Sequence, residues 1–81
     1  MYRVINKTQK EIRCGREILS SNEETIIFNN TFDTNIIRNK EGILVCQIIS
    51  EYGEHSSECY EKMICIPKKG KDGTIFVISE K

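Results

Sequence analysis

The sequence predicts a small, mainly β domain, either a barrel or a sandwich of about six or seven short strands, with one short helix near 34–41 as an added element. Three observations predict it. Fourteen of the 81 residues are isoleucine, only Leu19 and Leu44 are leucine, and alanine is absent. β-Branched side chains lose rotamer freedom in a helix but pack well on a pleated sheet, whereas Ala and Leu favour helices. An AT-rich coding bias would enrich isoleucine too, but it would not hold leucine to two residues. Apolar and polar residues also alternate in short runs, and scattered glycines (Gly15, Gly42, Gly53, Gly70 and Gly73) punctuate those runs at turn positions.

The elements follow in order. Tyr2 to Asn6 alternates, Asn6-Lys7-Thr8-Gln9 reads as a polar turn, and Glu11-Ile12-Arg13-Cys14 alternates again, which predicts an opening hairpin. Gly15 interrupts the pattern as a bulge or bend before a short strand over Arg16 to Leu19. Ser20 to Glu23 reads as a turn, and Glu24 to Asn29 has the composition of a strand. Asp33 or Thr34 would cap a brief helix over Asn35 to Glu41, with Gly42 in the left-handed position past its end; a strand or irregular loop is the competing reading. Ile43 to Ile49 is the most apolar run and predicts a central strand. Lys62 to Ile66 and Thr74 to Ile78 predict a second hairpin around the Pro67 to Gly73 turn, with Pro67 at a strand end or on an edge because it cannot donate to a ladder.

Composition bounds the function. Eighty-one residues hold a single domain spanning 1–81 with one core. Twelve Lys and Arg balance twelve Asp and Glu, so no long-range field draws nucleic acid or anionic lipid. The start alternates and turns polar by Asn6, without the apolar run of a secretory signal or membrane anchor, which predicts a cytoplasmic chain. In that compartment Cys14, Cys46 and Cys65, which fall in apolar company, act as small buried hydrophobes; in a secreted chain these three and Cys59 would make two disulfides. Asn6-Lys7-Thr8 and Asn29-Asn30-Thr31 fit the N-glycosylation pattern, which has meaning only with secretion.

Chemistry-bearing constellations are sparse. His55, Cys59, Cys65 and Cys46 can be drawn as a zinc site, but the paired short knuckles of structural zinc are missing, so no metal or cofactor is expected. Cys59 or Cys65 with His55 and Glu54 or Glu58 would be the residues of a nucleophilic site, and nothing in their spacing brings them together, so no enzyme is expected. Tyr2, Phe28 and Phe76 with Arg3, Arg13 and Arg16 are the residues that would bind single-stranded nucleic acid on an OB-like or SH3-like barrel. The exposed candidates for protein recognition are Phe32 in a polar loop, and Tyr52 and Tyr60 flanking the acidic Glu51 to Glu61 segment, which reads as a solvated loop whose Glu54 and Glu58 would face a basic partner.

The cadence Gly15-x-x-Ile18, Thr25-Ile26-Ile27, Ile36-Ile37 and Gly42-Ile43-Leu44-Val45 resembles that of small β modules encoded by tailed phages and Mu-like prophages, over about half of the chain. The resemblance implies a compact, non-enzymatic protein of the host-cell cytoplasm that works by binding, as an inhibitor of a host defence enzyme or as a virion or assembly component. The residues themselves add a reason to expect a partner. Ile43 to Ile49 and Ile75 to Ile78 are apolar on two faces, and so small a core covers only one. A closed second layer, a homodimer or a larger protein must cover the other. The sequence therefore predicts a non-catalytic protein-binding module using Phe32, Tyr52, Glu54, Glu58 and Tyr60, with a nucleic-acid binder as the alternative.

Overall fold

Nine strands form among the described residues, which are 2–27, 35–51, 54–71 and 73–81 of a computed structural model. They are β1 (Tyr2–Asn6), β2 (Ile12–Cys14), β3 (Glu17–Leu19), β4 (Glu24–Ile27), β5 (Ile36–Asn39), β6 (Leu44–Glu51), β7 (Glu54–Cys59), β8 (Met63–Gly70) and β9 (Gly73–Glu80). A four-stranded sheet has the order β4-β1-β9-β8 and a five-stranded sheet the order β3-β2-β5-β6-β7. Both line one core: Tyr2, Val4, Phe76 and Ile78 come from the first, and Ile12, Cys14, Leu19, Ile37, Val45, Cys46 and Ile48 from the second. The chain is mainly β, as the isoleucine content predicts, and the architecture is two sheets rather than a closed barrel.

The opening hairpin does not form, although both of its strands do. β1 pairs with β4 and, in parallel, with β9, while β2 pairs with β3 and β5 in the other sheet. The segment between them is a crossing from sheet to sheet, and Asn6 holds it. Its amide nitrogen donates to the carbonyls of Lys10 (2.8 Å) and Leu19 (2.9 Å), and its oxygen accepts from the amide (2.9 Å) and hydroxyl (2.6 Å) of Thr8. Asn6 and Thr8 are both buried. A polar dipeptide read as a solvated turn is instead the interior bracket between the sheets, and a fully enclosed Asn6 is closed to glycosylation.

Two further expectations change. Residues 36–39 are strand β5, not the helix foreseen near 34–41, because pairing with β2 and β6 buries Ile37 and outweighs two turns of marginal helix. Gly42 does take the left-handed region (φ 85°), but in the β5–β6 turn. The acidic segment is β7, an outer strand paired along β6, rather than a loop. Pro67 lies in β8 at the edge of its sheet, where its missing donor costs no ladder bond.

A tight turn carries the chain from β7 on one sheet to β8 on the other. The Met63 amide donates to the Tyr60 carbonyl at 3.0 Å, and both central residues have positive φ, Glu61 at 53° and Lys62 at 62°. This is the type I′ geometry that prefers Asn-Gly. A left-handed residue with a Cβ costs about 1–2 kcal/mol, partly returned by the lower entropy of its unfolded chain. Lys62→Gly is therefore expected to raise stability by about 0.5–1 kcal/mol. An unchanged or lower urea midpoint at equal m-value would refute the strain.

Candidate interaction surface

In paired strands, residues directly opposite one another share a face. On the outer face of the four-stranded sheet, one row runs Ile26, Arg3, Ile75, Lys68 and the next runs Glu24, Ile5, Val77, Ile66; Ile64 stands beyond, opposite Ser79. Six apolar side chains, Ile5, Ile26, Ile64, Ile66, Ile75 and Val77, thus occupy the surface away from the core. Ile66 is 49% and Ile26 37% exposed, and the other four are half-buried. Arg3, between Ile26 and Ile75, reaches Glu24 on the β4 edge at 3.8 Å, and Lys68 marks the opposite edge. Gly70 lies close under this surface: a Cβ there would be 3.0 Å from Ile75 Cδ1 and 3.1 Å from the Gly73 carbonyl oxygen, so the end of the Ile75 side chain would have to shift slightly.

The outer face of the five-stranded sheet is different. Its rows are Ile18, Arg13, Arg38 and Ile36, Gln47, Glu58, followed by Ile49 opposite Ser56. Polar groups separate its aliphatic ones, with guanidinium groups toward one corner and Glu58 toward the other. Apolar side chains on both faces of a strand, expected of β6 and β9, have separate outcomes. In β6, Val45, Cys46 and Ile48 are buried and Gln47 interrupts the outer side, whereas in β9, Phe76 and Ile78 fill the core and leave Ile75 and Val77 outside.

Of the residues singled out from sequence, Glu58 and Tyr60 come together. The Tyr60 hydroxyl donates to Glu58 Oε2 at 2.8 Å, and both side chains are exposed at the end of β7. That carboxylate accepting the phenolic proton raises the Tyr60 pKa above its ordinary value. Glu54 begins β7, and Phe32 and Tyr52 lie outside the described residues. The stacking arrangement proposed for nucleic acid is not assembled: Tyr2 and Phe76 are core residues, packed edge to face with centroids 5.5 Å apart, and Phe28 lies outside the described residues.

The sequence points to a surplus apolar side on Ile75 to Ile78 but not to Ile5, Ile26, Ile64 and Ile66 as its neighbours. The available signal was apolar residues at both parities of β9, together with Ile5 in β1. Turning that signal into a surface required knowing that β1 and β9 are neighbours, which no local pattern encodes.

Inside, His55 and the thiols part company. The His55 ring packs on Tyr2 (centroids 5.4 Å apart) and Phe76 (6.2 Å), with its Nδ1 buried and without a hydrogen-bond partner among the described residues. Cys59, four residues along the same strand and therefore ~13 Å away by strand rise, joins Cys46 and Cys65 instead. The Cys46 thiol donates to Cys59 Sγ at 3.0 Å, and Cys65 packs against the same core. The Ser57 hydroxyl donates to the Cys65 carbonyl at 3.2 Å, tying β7 to β8. Hydrogen bonding by Cys46 brings the Cys65 thiol down to about 7 against the opposing effect of burial, with Ser57 and Cys59 assisting, while Cys46 is pushed up by the same bond and by burial. Cys14 stands apart on β2, raised to about 11 by burial and then by the charge of Glu17. Among the described residues no group of three His, Cys, Asp or Glu is arranged to hold a metal ion. Glu58, pointing outward, is on the opposite face of β7 from Cys59.

Compared with protein-family models, curated proteins and solved structures, the chain matches none of them.

Proposed function

We propose that this chain is a non-catalytic protein-binding module whose contact surface is the outer face of the four-stranded sheet. One observation carries the reading: six Ile and Val side chains are collected on a single solvent-facing surface, broken by Arg3 between Ile26 and Ile75, with Glu24 and Lys68 on its two edge strands. Full burial of an Ile or Val is worth about 1.5–3 kcal/mol, so covering this face is favourable even though four of the six are already half-buried. Contiguous apolar surface with a polar rim is what protein interfaces present. The charges provide orientation, since Glu24 at one edge, Lys68 at the other and Arg3 within the face give a partner different groups to meet. The partner is a larger protein or a second copy of the chain. In a phage or mobile-element setting such a face would block a host enzyme or seat the module in an assembly.

The test is a set of single charge insertions read by quantitative capture of the partner and by sedimentation of the chain alone. Ile66→Asp and Ile26→Asp, at opposite sides of the face, are each expected to weaken association about tenfold to a hundredfold. Ile18→Asp, equally exposed but on the other sheet, should leave it within about twofold. Loss of binding in Ile18→Asp or Tyr60→Ala with Ile66→Asp unaffected would move the interface to the five-stranded sheet and end this assignment.

A further inference from the structure

Three of the four cysteines meet where the two sheets meet. Cys46 and Cys59 face each other across the β6–β7 ladder. The Tyr60 amide donates to the Val45 carbonyl, so the neighbouring Cys46–Cys59 pair falls at a non-hydrogen-bonded position. Facing Cα atoms at such positions are ~4.5 Å apart, at the near end of the ~4.4–6.8 Å span of disulfides. The two sulfurs are already in contact at 3.0 Å. Cys65 comes from β8, the edge strand of the opposite sheet, and packs against the same core as Cys59, with its carbonyl held by the Ser57 hydroxyl at 3.2 Å two residues before Cys59. Cys46 is fully enclosed, whereas Cys59 and Cys65 are partly open to solvent. The cluster has an accessible member on each side of a buried one.

We propose that Cys46, Cys59 and Cys65 form a thiol–disulfide exchange site that reacts with low-molecular-weight disulfides of the glutathione class and moves a single bridge between two positions. The partly exposed Cys65 thiolate attacks one sulfur of oxidised glutathione; the S–S bond breaks, one glutathione leaves as thiolate and takes a proton from solvent. Cys46 gives up its proton and attacks Cys65 Sγ, releasing the second glutathione and closing a Cys46–Cys65 bridge between the sheets. Cys59, deprotonated in turn, attacks Cys46 Sγ, forming Cys46–Cys59 within one sheet and returning Cys65 as the thiolate. Overall two protein thiols are oxidised to one disulfide and one glutathione disulfide is reduced to two thiols. The last step runs toward Cys46–Cys59 because the better-stabilised thiolate is the better leaving group. Cys14, buried on β2, lies in the same cross-strand row but is separated from Cys46 by Ile37 of β5, and the scheme gives it no part. This inference does not depend on what binds the outer face.

The experiment is oxidation of the folded chain in glutathione redox buffers, quenching with an alkylating reagent, and peptide mapping by mass spectrometry. The expected product is a Cys46–Cys59 bridge with Cys14 and Cys65 alkylated. Cys59→Ser should stop at Cys46–Cys65, and Cys65→Ser should still reach Cys46–Cys59 but at least tenfold more slowly. Cys14→Ser should behave as the unmodified chain, which guards against a general effect of losing a buried thiol. Glutathione adducts without any internal bridge in the unmodified chain would overturn the proposal. So would a Cys65→Ser variant that bridges at the unmodified rate, since Cys65 would then not be the point of attack.

Discussion

Asn6→Ala is expected to destabilise the protein by about 3–4 kcal/mol, more than any other polar substitution among the described residues. The side chain is fully buried and all of its hydrogen-bonding capacity toward Thr8, Lys10 and Leu19 is used. Alanine would strand two carbonyls and an amide in the interior, each at about 1–3 kcal/mol, with partial relief where the Thr8 hydroxyl turns fully to the Lys10 carbonyl, 2.8 Å away. Asn6→Asp separates hydrogen bonding from size. Its ionised carboxylate would point an oxygen at the Lys10 and Leu19 carbonyls, so the folded state raises its pKa above the unfolded value. Stability in that variant is then present at low pH and lost as pH rises through the folded pKa. Urea titrations of Asn6→Asp at about pH 4 and pH 7 should show the higher midpoint at about pH 4. Equal midpoints, or an Asn6→Ala loss below about 1 kcal/mol, would mean that the bracket is not where the sheets are tied.

Phe76→Ala is expected to cost about 3–5 kcal/mol, against a total of about 4–12 kcal/mol for a domain of this size. Phe76 is fully buried between the sheets and stands edge-on to Tyr2 and to His55. Truncation opens a cavity flanked by two rings, and neither can collapse into it freely: Tyr2 is anchored by its hydroxyl to Asn35 Oδ1 at 2.7 Å, and His55 is carried on a paired strand. A melting temperature lower by about 15–30 °C is expected. Ile75→Ala, one residue away but on the outer face, should cost under about 1.5 kcal/mol. Similar losses in the two variants would contradict the assignment of inner and outer faces on β9, and with it the proposed contact surface.

Local signals in the sequence were sufficient for most strands and insufficient for their partners. Alternation marks β1, β2 and β9, and the break at Gly15 separates β2 from β3. Pro67 is on an edge strand, as one of its two readings had it, but it does not end the arm, since β8 continues to Gly70 and the turn is shorter than Pro67 to Gly73. Sequence neighbours, however, were assumed to be spatial neighbours, which made β1 and β2 a hairpin and hid the crossing at Asn6. β5 was misread because Ile36 and Ile37 suit a helix or a strand equally over four residues; pairing on both sides decided it. β7 was misread because Glu54-His55-Ser56-Ser57-Glu58-Cys59 has little β propensity, and its conformation comes from the ladder with β6. The thiol cluster was legible only as an even count of cysteines: Cys46 and Cys65 are brought together by the meeting of two sheets, a contact that spacing along the chain does not express.

The parallel pairing of β1 with β9 sets Tyr2 opposite Thr74 and Asn6 opposite Ile78. A ribosome therefore makes the first strand long before its neighbour exists. Until Thr74 to Ile78 emerge, the nascent four-stranded sheet has a gap at its centre, and Tyr2 and Val4 have no Phe76 or Ile78 to pack on. Closing so large a loop is slow. Assembly of this sheet thus waits for β9 and is nearly all-or-none, and until then the emerging strands are greasy surfaces that chaperones can bind.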